Sequence, residues 1–176
     1  MKYLIYFFSI VFLLSLNIAV FPLLKIYGVM PNLLFLFVII FSLESRSYDF
    51  LFIAFLSGIF LDFFSSLYIG SFTISLILLA FGLRFLVRNV VTLEINWKYL
   101  SIMLAVSLFL VMLFIWGYNN FFFRFKLSSI YINFKFLLGR FFIEFVYSWI
   151  LLFPMRKFLN VVKFINLNFF VRQRVL

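Results

Sequence analysis

Residues 3–24 and 99–123 run for 22 and 25 positions without a single charge. At about 1.5 Å per residue, a helix of either length reaches about 33 Å or more, enough to cross a hydrocarbon core of about 30 Å. Between them, residues 50–83 carry one charge, Asp62, in 34 positions, too long for one span and suited to a tight helical hairpin. Composition agrees. Hydrophobic residues make up 68% of the 176-residue chain and charged residues 11%, against roughly 45–50% and about 25% in soluble domains. A soluble fold of this size cannot hide that much apolar surface, and a disordered chain would be poorer in it.

The pattern predicts an all-α polytopic membrane protein in a single domain. It should be a bundle of about six transmembrane helices over residues 3–24, 31–43, 50–67, 70–86, 99–123 and 136–153. The first run has Lys2 before it but no small-residue cleavage site after it, so it reads as an uncleaved helix rather than a signal peptide. Pro31 suits the first turn of the second helix. The polar segment Glu44–Asp49 separates the second and third spans, and the break in the hairpin is expected at residues 65–70. Arg84, Arg88, Glu94 and Lys98 mark the next polar loop. Pro154 is expected to stop the sixth helix, leaving residues 155–176 as a basic tail, cytoplasmic or lying along the inner leaflet. Six spans put both termini on one side. Lys2, Arg46, Arg84, Arg88, Lys98, Arg156, Lys157, Lys163, Arg172 and Arg174 fall on that side, while Lys25, Arg124, Lys126 and Lys135 fall on the other. This ten-to-four bias places the termini in the cytoplasm. The net charge of +10 therefore reads as topology rather than as a nucleic-acid surface, and no nucleic-acid partner is expected.

Much chemistry is excluded. The chain has no Cys and no His, which removes thiolate nucleophiles, the commonest general base and the commonest transition-metal ligands. The five acids (Glu44, Asp49, Asp62, Glu94, Glu144) are scattered, and the six glycines are too far apart for a phosphate-cradling loop. No catalytic residue, cofactor or metal is expected, and an enzyme is not.

Asp62 stands out. A carboxylate inside a span costs about 2.5–3.5 kcal/mol on insertion scales, so it should face other helices and have a partner. Ala54, Gly58, Asp62, Ser65 and Ser66 fall on one helical stripe of small and polar residues, which lets a neighbouring backbone come close. Two roles are open for Asp62: pinning a helix junction, or handling a ligand or proton. Arg140 and Glu144, one turn apart, can shield each other. Asp62 and Glu144 both count to about 12 Å below the outer surface at about 1.5 Å per residue, so an Asp62–Arg140 pair between helices 3 and 6 is one expectation. Arg140 snorkelling to the surface is the other.

The stretch Ser57-Gly58-Ile59-Phe60-Leu61-Asp62-Phe63-Phe64-Ser65-Ser66-Leu67-Tyr68-Ile69-Gly70 resembles a motif of the MreD family of rod-shape-determining membrane proteins. There a Gly, hydrophobics, an Asp and a second Gly eight residues on occupy a hairpin between two spans. Pro31-Asn32-Leu33-Leu34 and the run Tyr147-Ser148-Trp149-Ile150-Leu151-Leu152-Phe153-Pro154 are similar too, with Ser148 where the family has Asn. The resemblance implies a non-catalytic scaffold of the bacterial cell-elongation complex, which supports lateral peptidoglycan synthesis and cell shape. It further implies a multi-pass protein of the cytoplasmic (inner) membrane, in contact with the lipid bilayer. The expected partners are an MreC-like single-span protein and other elongation-complex membrane proteins. Gly58, Asp62, Gly70, Arg140 and Glu144 are the structural or partner-contact candidates. The rival reading is a substrate-binding subunit of an energy-coupling-factor transporter. For it, Ser15 and Ala19 offer a single small-residue pair, and Asn119, Asn120 and Arg124 offer polar pocket residues.

Overall fold

The structure, a computed structural model, describes residues 2–25, 29–45, 48–65, 67, 69–89, 97–125 and 134–173. It is all-helical: α1 (Lys2–Ala19), α2 (Leu33–Glu44), α3 (Asp49–Phe64), α4 (Ser71–Asn89), α5 (Trp97–Arg124) and α6 (Phe134–Gln173), with no strand among the described residues. Three of these, over Lys2–Ala19, Lys98–Arg124 and Leu138–Ile165, are long and apolar enough to cross a membrane.

Five helices close a ring in the order α1, α3, α4, α5, α6 and back to α1, and α2 sits inside it against α1, α3, α4 and α6. The sequence of α2 explains its place. From Leu33 to Leu43 it is apolar all round apart from Ser42, and every one of these residues is buried. Ser42 donates its hydroxyl to the Val38 carbonyl at 2.7 Å, so the one polar side chain of that run is satisfied within the helix. The ring helices are two-faced instead. α1 turns Tyr6, Ser9, Ile10, Leu13 and Leu14 inward at helical spacing, while Leu4, Phe8 and Phe12 face out. In lipid the outward phenylalanines cost nothing, and association depends on packing and on hydrogen bonds that leave no backbone group unmet.

Helix ends show this economy. The Asn32 side chain caps α2 by accepting from the Phe35 amide at 3.2 Å, and Asn17 of α1 reaches over to accept from the Leu33 amide at 3.1 Å. Asn17 also donates its Nδ2 to Asn32 Oδ1 at 3.2 Å. The helix therefore begins at Leu33, with Pro31 just outside it rather than in its first turn. α1 ends at Ala19, short of residue 24, because Pro22 turns the chain into a single 3₁₀ turn over Phe21–Leu24. α3 stops at Phe64, short of residue 67, while α4 runs on to Asn89.

The largest departure from the sequence reading lies in α6. Pro154 does not stop the helix, which continues through it for 40 residues, about 60 Å. Proline inside a helix costs about 3 kcal/mol, through a lost hydrogen bond and a clash with the preceding turn. Tertiary contacts offset that here. Met155, Leu159 and Val162 are buried in the core, and the Phe158 ring packs against Phe12 and Phe37 with centroids 5.9 and 6.2 Å away. The residues expected to form a separate tail from 155 are, as far as Gln173, the second half of α6.

Candidate functional site at the α3–α4 junction

The hairpin residues come together at one junction. Gly58 faces Thr73 so closely that a Cβ added to it would lie 2.4 Å from the Thr73 Cα and 3.0 Å from its amide nitrogen. No real Cβ tolerates that contact with backbone, so only glycine permits α3 and α4 to cross here, and α3 packs against α4 more extensively than any other pair does.

One turn on, Asp62 meets the start of α4. Its Oδ1 accepts from the Phe72 amide at 2.8 Å, and its Oδ2 accepts from the Thr73 amide at 3.1 Å and from the Thr73 hydroxyl at 2.5 Å. A helix opens with amides that have no partner within it, and the residue before the helix usually supplies the accepting oxygen. That residue is Gly70, which has no side chain. Its φ of +93° lies in the left-handed region that favours glycine and turns the chain into α4. Asp62 therefore caps α4 from the preceding helix, with its charge set against the positive end of the α4 dipole. Gly58, Asp62 and Gly70 form one device: close crossing, remote cap and sharp turn.

Helix α5 closes the junction from its other side. Asn119, fully buried, donates Nδ2 to the Ser71 hydroxyl and to the Ile115 carbonyl, both at 3.0 Å. The Tyr118 hydroxyl lies 3.4 Å from the Ile69 carbonyl and donates to it. Thr73, Ser71 and Tyr118 were not singled out in the sequence. The available signal was the polar start Ser71-Phe72-Thr73 directly after Gly70. Around this polar network, Phe63 and Ile69 are each 80% exposed and project outward from the junction.

Arg140 and Glu144 are not part of it. Both lie on α6, which packs on α1, α2 and α5, and the Asp62 carboxylate is engaged entirely by α4. The expected Asp62–Arg140 pair does not form, because the start of α4 offers three donors within reach of a carboxylate that would otherwise need a cation. Arg140 is exposed, and its charge bears on Glu144 one turn away.

A second polar cluster, not foreseen in the sequence, ties the α2–α3 connection to its surroundings. Glu44 accepts from Arg156 Nε at 3.0 Å and from Lys163 Nζ at 2.7 Å, its side chain only 10% exposed. Asp49 pairs with Lys2. Arg156 and Lys163 are seven residues apart, two turns on one face of α6, which is why one carboxylate reaches both. Among the described residues no three acids gather into a metal-binding group. The chemistry at both clusters is that of ion pairs and capped helix ends. Comparison with known proteins adds no relative: no protein-family profile matches the sequence, and neither a curated protein nor a solved structure matches the chain.

Proposed function

We propose that this chain is a non-catalytic scaffold of the bacterial cytoplasmic membrane, crossing it about six times with both termini in the cytoplasm. In this reading it acts in the cell-elongation complex in the manner of the MreD family, contacting an MreC-like single-span protein within the bilayer. The observation that carries the reading is the α3–α4 junction, where the three residues of the resembling motif, Gly58, Asp62 and Gly70, serve one structural purpose. Such a junction presents a fixed outer surface, and Phe63 and Ile69 are its most exposed apolar residues. The short α2 fits six crossings because it is buried in protein, where helix length and non-helical connections are released from the demands of lipid.

The transporter reading needs free polar groups around a ligand. Asp62 and Asn119 are both spent on the start of α4, and Arg140 lies on another helix, so no observation favours it. The test is photo-cross-linking in the native membrane from Phe63 and Ile69, followed by identification of the captured neighbour. Capture of a bitopic cell-wall protein with a large extracytoplasmic domain supports the scaffold. Capture of an ATPase-linked coupling subunit overturns it.

A further inference from the structure

Residues 155–173 of α6 combine three features. Pro154, at their start, has no N–H to donate to the carbonyl of Ile150, so the helix is weakest there. Residues 155–176 carry five cations (Arg156, Lys157, Lys163, Arg172 and Arg174) and no acid. Among the described residues, the Glu44 carboxylate of α2 holds this half and is shared between Arg156 and Lys163.

From these we propose that the second half of α6 is an arm hinged at Pro154, latched by Glu44, and released by the phosphates of anionic phospholipids. Lipid phosphate and the Glu44 carboxylate both offer anionic oxygens to the same two cations, and an anionic leaflet adds the uncompensated negative charge that a phosphatidylcholine leaflet, with a choline cation beside each phosphate, lacks. Released, the arm has the makings of an interfacial helix. Met155, Leu159 and Val162 form one apolar face, now turned into the core, and Lys157 stands exposed with its Nζ 4.6 Å from the Phe153 ring. Arg156 and Lys163 would leave Glu44 for the headgroups while that apolar face enters the acyl boundary, which offsets the core contacts, Phe158 on Phe12 and Phe37 among them, that release gives up. The latch thus selects between an arm folded on the bundle and an arm lying on the membrane. The inference requires the membrane but not the scaffold role, and its outcome is independent of any partner captured at Phe63 or Ile69.

The absence of cysteine makes the test direct. Leu78→Cys and Asn160→Cys place one spin label on α4 and one on the arm, both at exposed positions. The full chain is reconstituted in phosphatidylcholine vesicles, in vesicles with one third phosphatidylglycerol, and in phosphatidylcholine with added inorganic phosphate, and the distance distribution is read by pulsed dipolar spectroscopy. The expected result is one distance in phosphatidylcholine and a second, several-fold more populated, with phosphatidylglycerol. Glu44→Gln should raise that second population without anionic lipid, and Pro154→Ala should suppress it. Should Glu44→Gln fail to fold, Lys163→Gln, which leaves Arg156 on Glu44, should raise it instead. A single unchanged distance in all three preparations of the otherwise native chain overturns the arm. An equal response to inorganic phosphate overturns the assignment to lipid.

Discussion

Asp62 answers a question that charge counting poses badly. A carboxylate in a span needs donors, and the sequence suggests looking for a cation, hence Arg140. The donors it has are two backbone amides, which no side-chain inventory contains, and the Thr73 hydroxyl eleven residues on. Gly58, Asp62 and Gly70 were legible from spacing and residue type. Thr73 was not, because its role depends on where α4 begins. Two outcomes follow at this scale. Asp62→Ala should cost about 2 kcal/mol or more, since a lost cap costs about 0.5–2 and buried amides are left unmet. Asp62→Asn, which keeps one accepting oxygen, should cost less. Unfolding by SDS in mixed micelles measures both, and equal stability for all three chains would contradict the capping role. Gly58→Ala and Gly82→Ala should differ in sign. The first drives a methyl into the Thr73 backbone and should cost about 1–3 kcal/mol, whereas nothing lies within 4 Å of the second, where alanine should gain about 0.5–1 kcal/mol.

Among the elements, α2 and α6 show where local rules hold and where contacts override them. An uninterrupted apolar run marked α2 as a helix, yet the same run is equally consistent with a lipid-facing span. Only the ring around it makes it the core. Its start depends on Asn17 and Asn32 together, so the alanine substitutions should be non-additive. Asn17→Ala and Asn32→Ala should each cost about 1 kcal/mol, and the double variant should cost less than their sum, because the Asn17–Asn32 bond is lost once. A double-mutant cycle in the same micelle assay checks this. In α6 the local rule failed. Pro154 reads as a stop, but Leu159, Phe158 and the Glu44 ion pairs hold the following turns in line. Those partners come from α1 and α2, more than a hundred residues earlier, beyond the reach of any window along the chain. Pro154→Ala should raise unfolding stability by up to about 3 kcal/mol.

For the whole molecule, the helical class and the apolar character were evident from charge-free runs, whereas the ring and its central helix were not. Periodicity tells which face of a helix is apolar, not which neighbour covers it, and with 32 phenylalanines nearly every face qualifies. Sidedness belongs to this scale. Fusing a reporter active only in the cytoplasm to each terminus in turn should give signal from both, and a signal from one alone would contradict an even number of crossings.

The 12-residue α2 has one further consequence. At about 18 Å it falls well short of the hydrocarbon slab, yet no acyl chain reaches it along Leu33–Leu43. Mismatch between protein and bilayer is felt only by surfaces that lipid wets. Moved from a thin membrane to a thick one, those ring helices that cross it would have to change their tilt, while the axis they surround would have no cause to move.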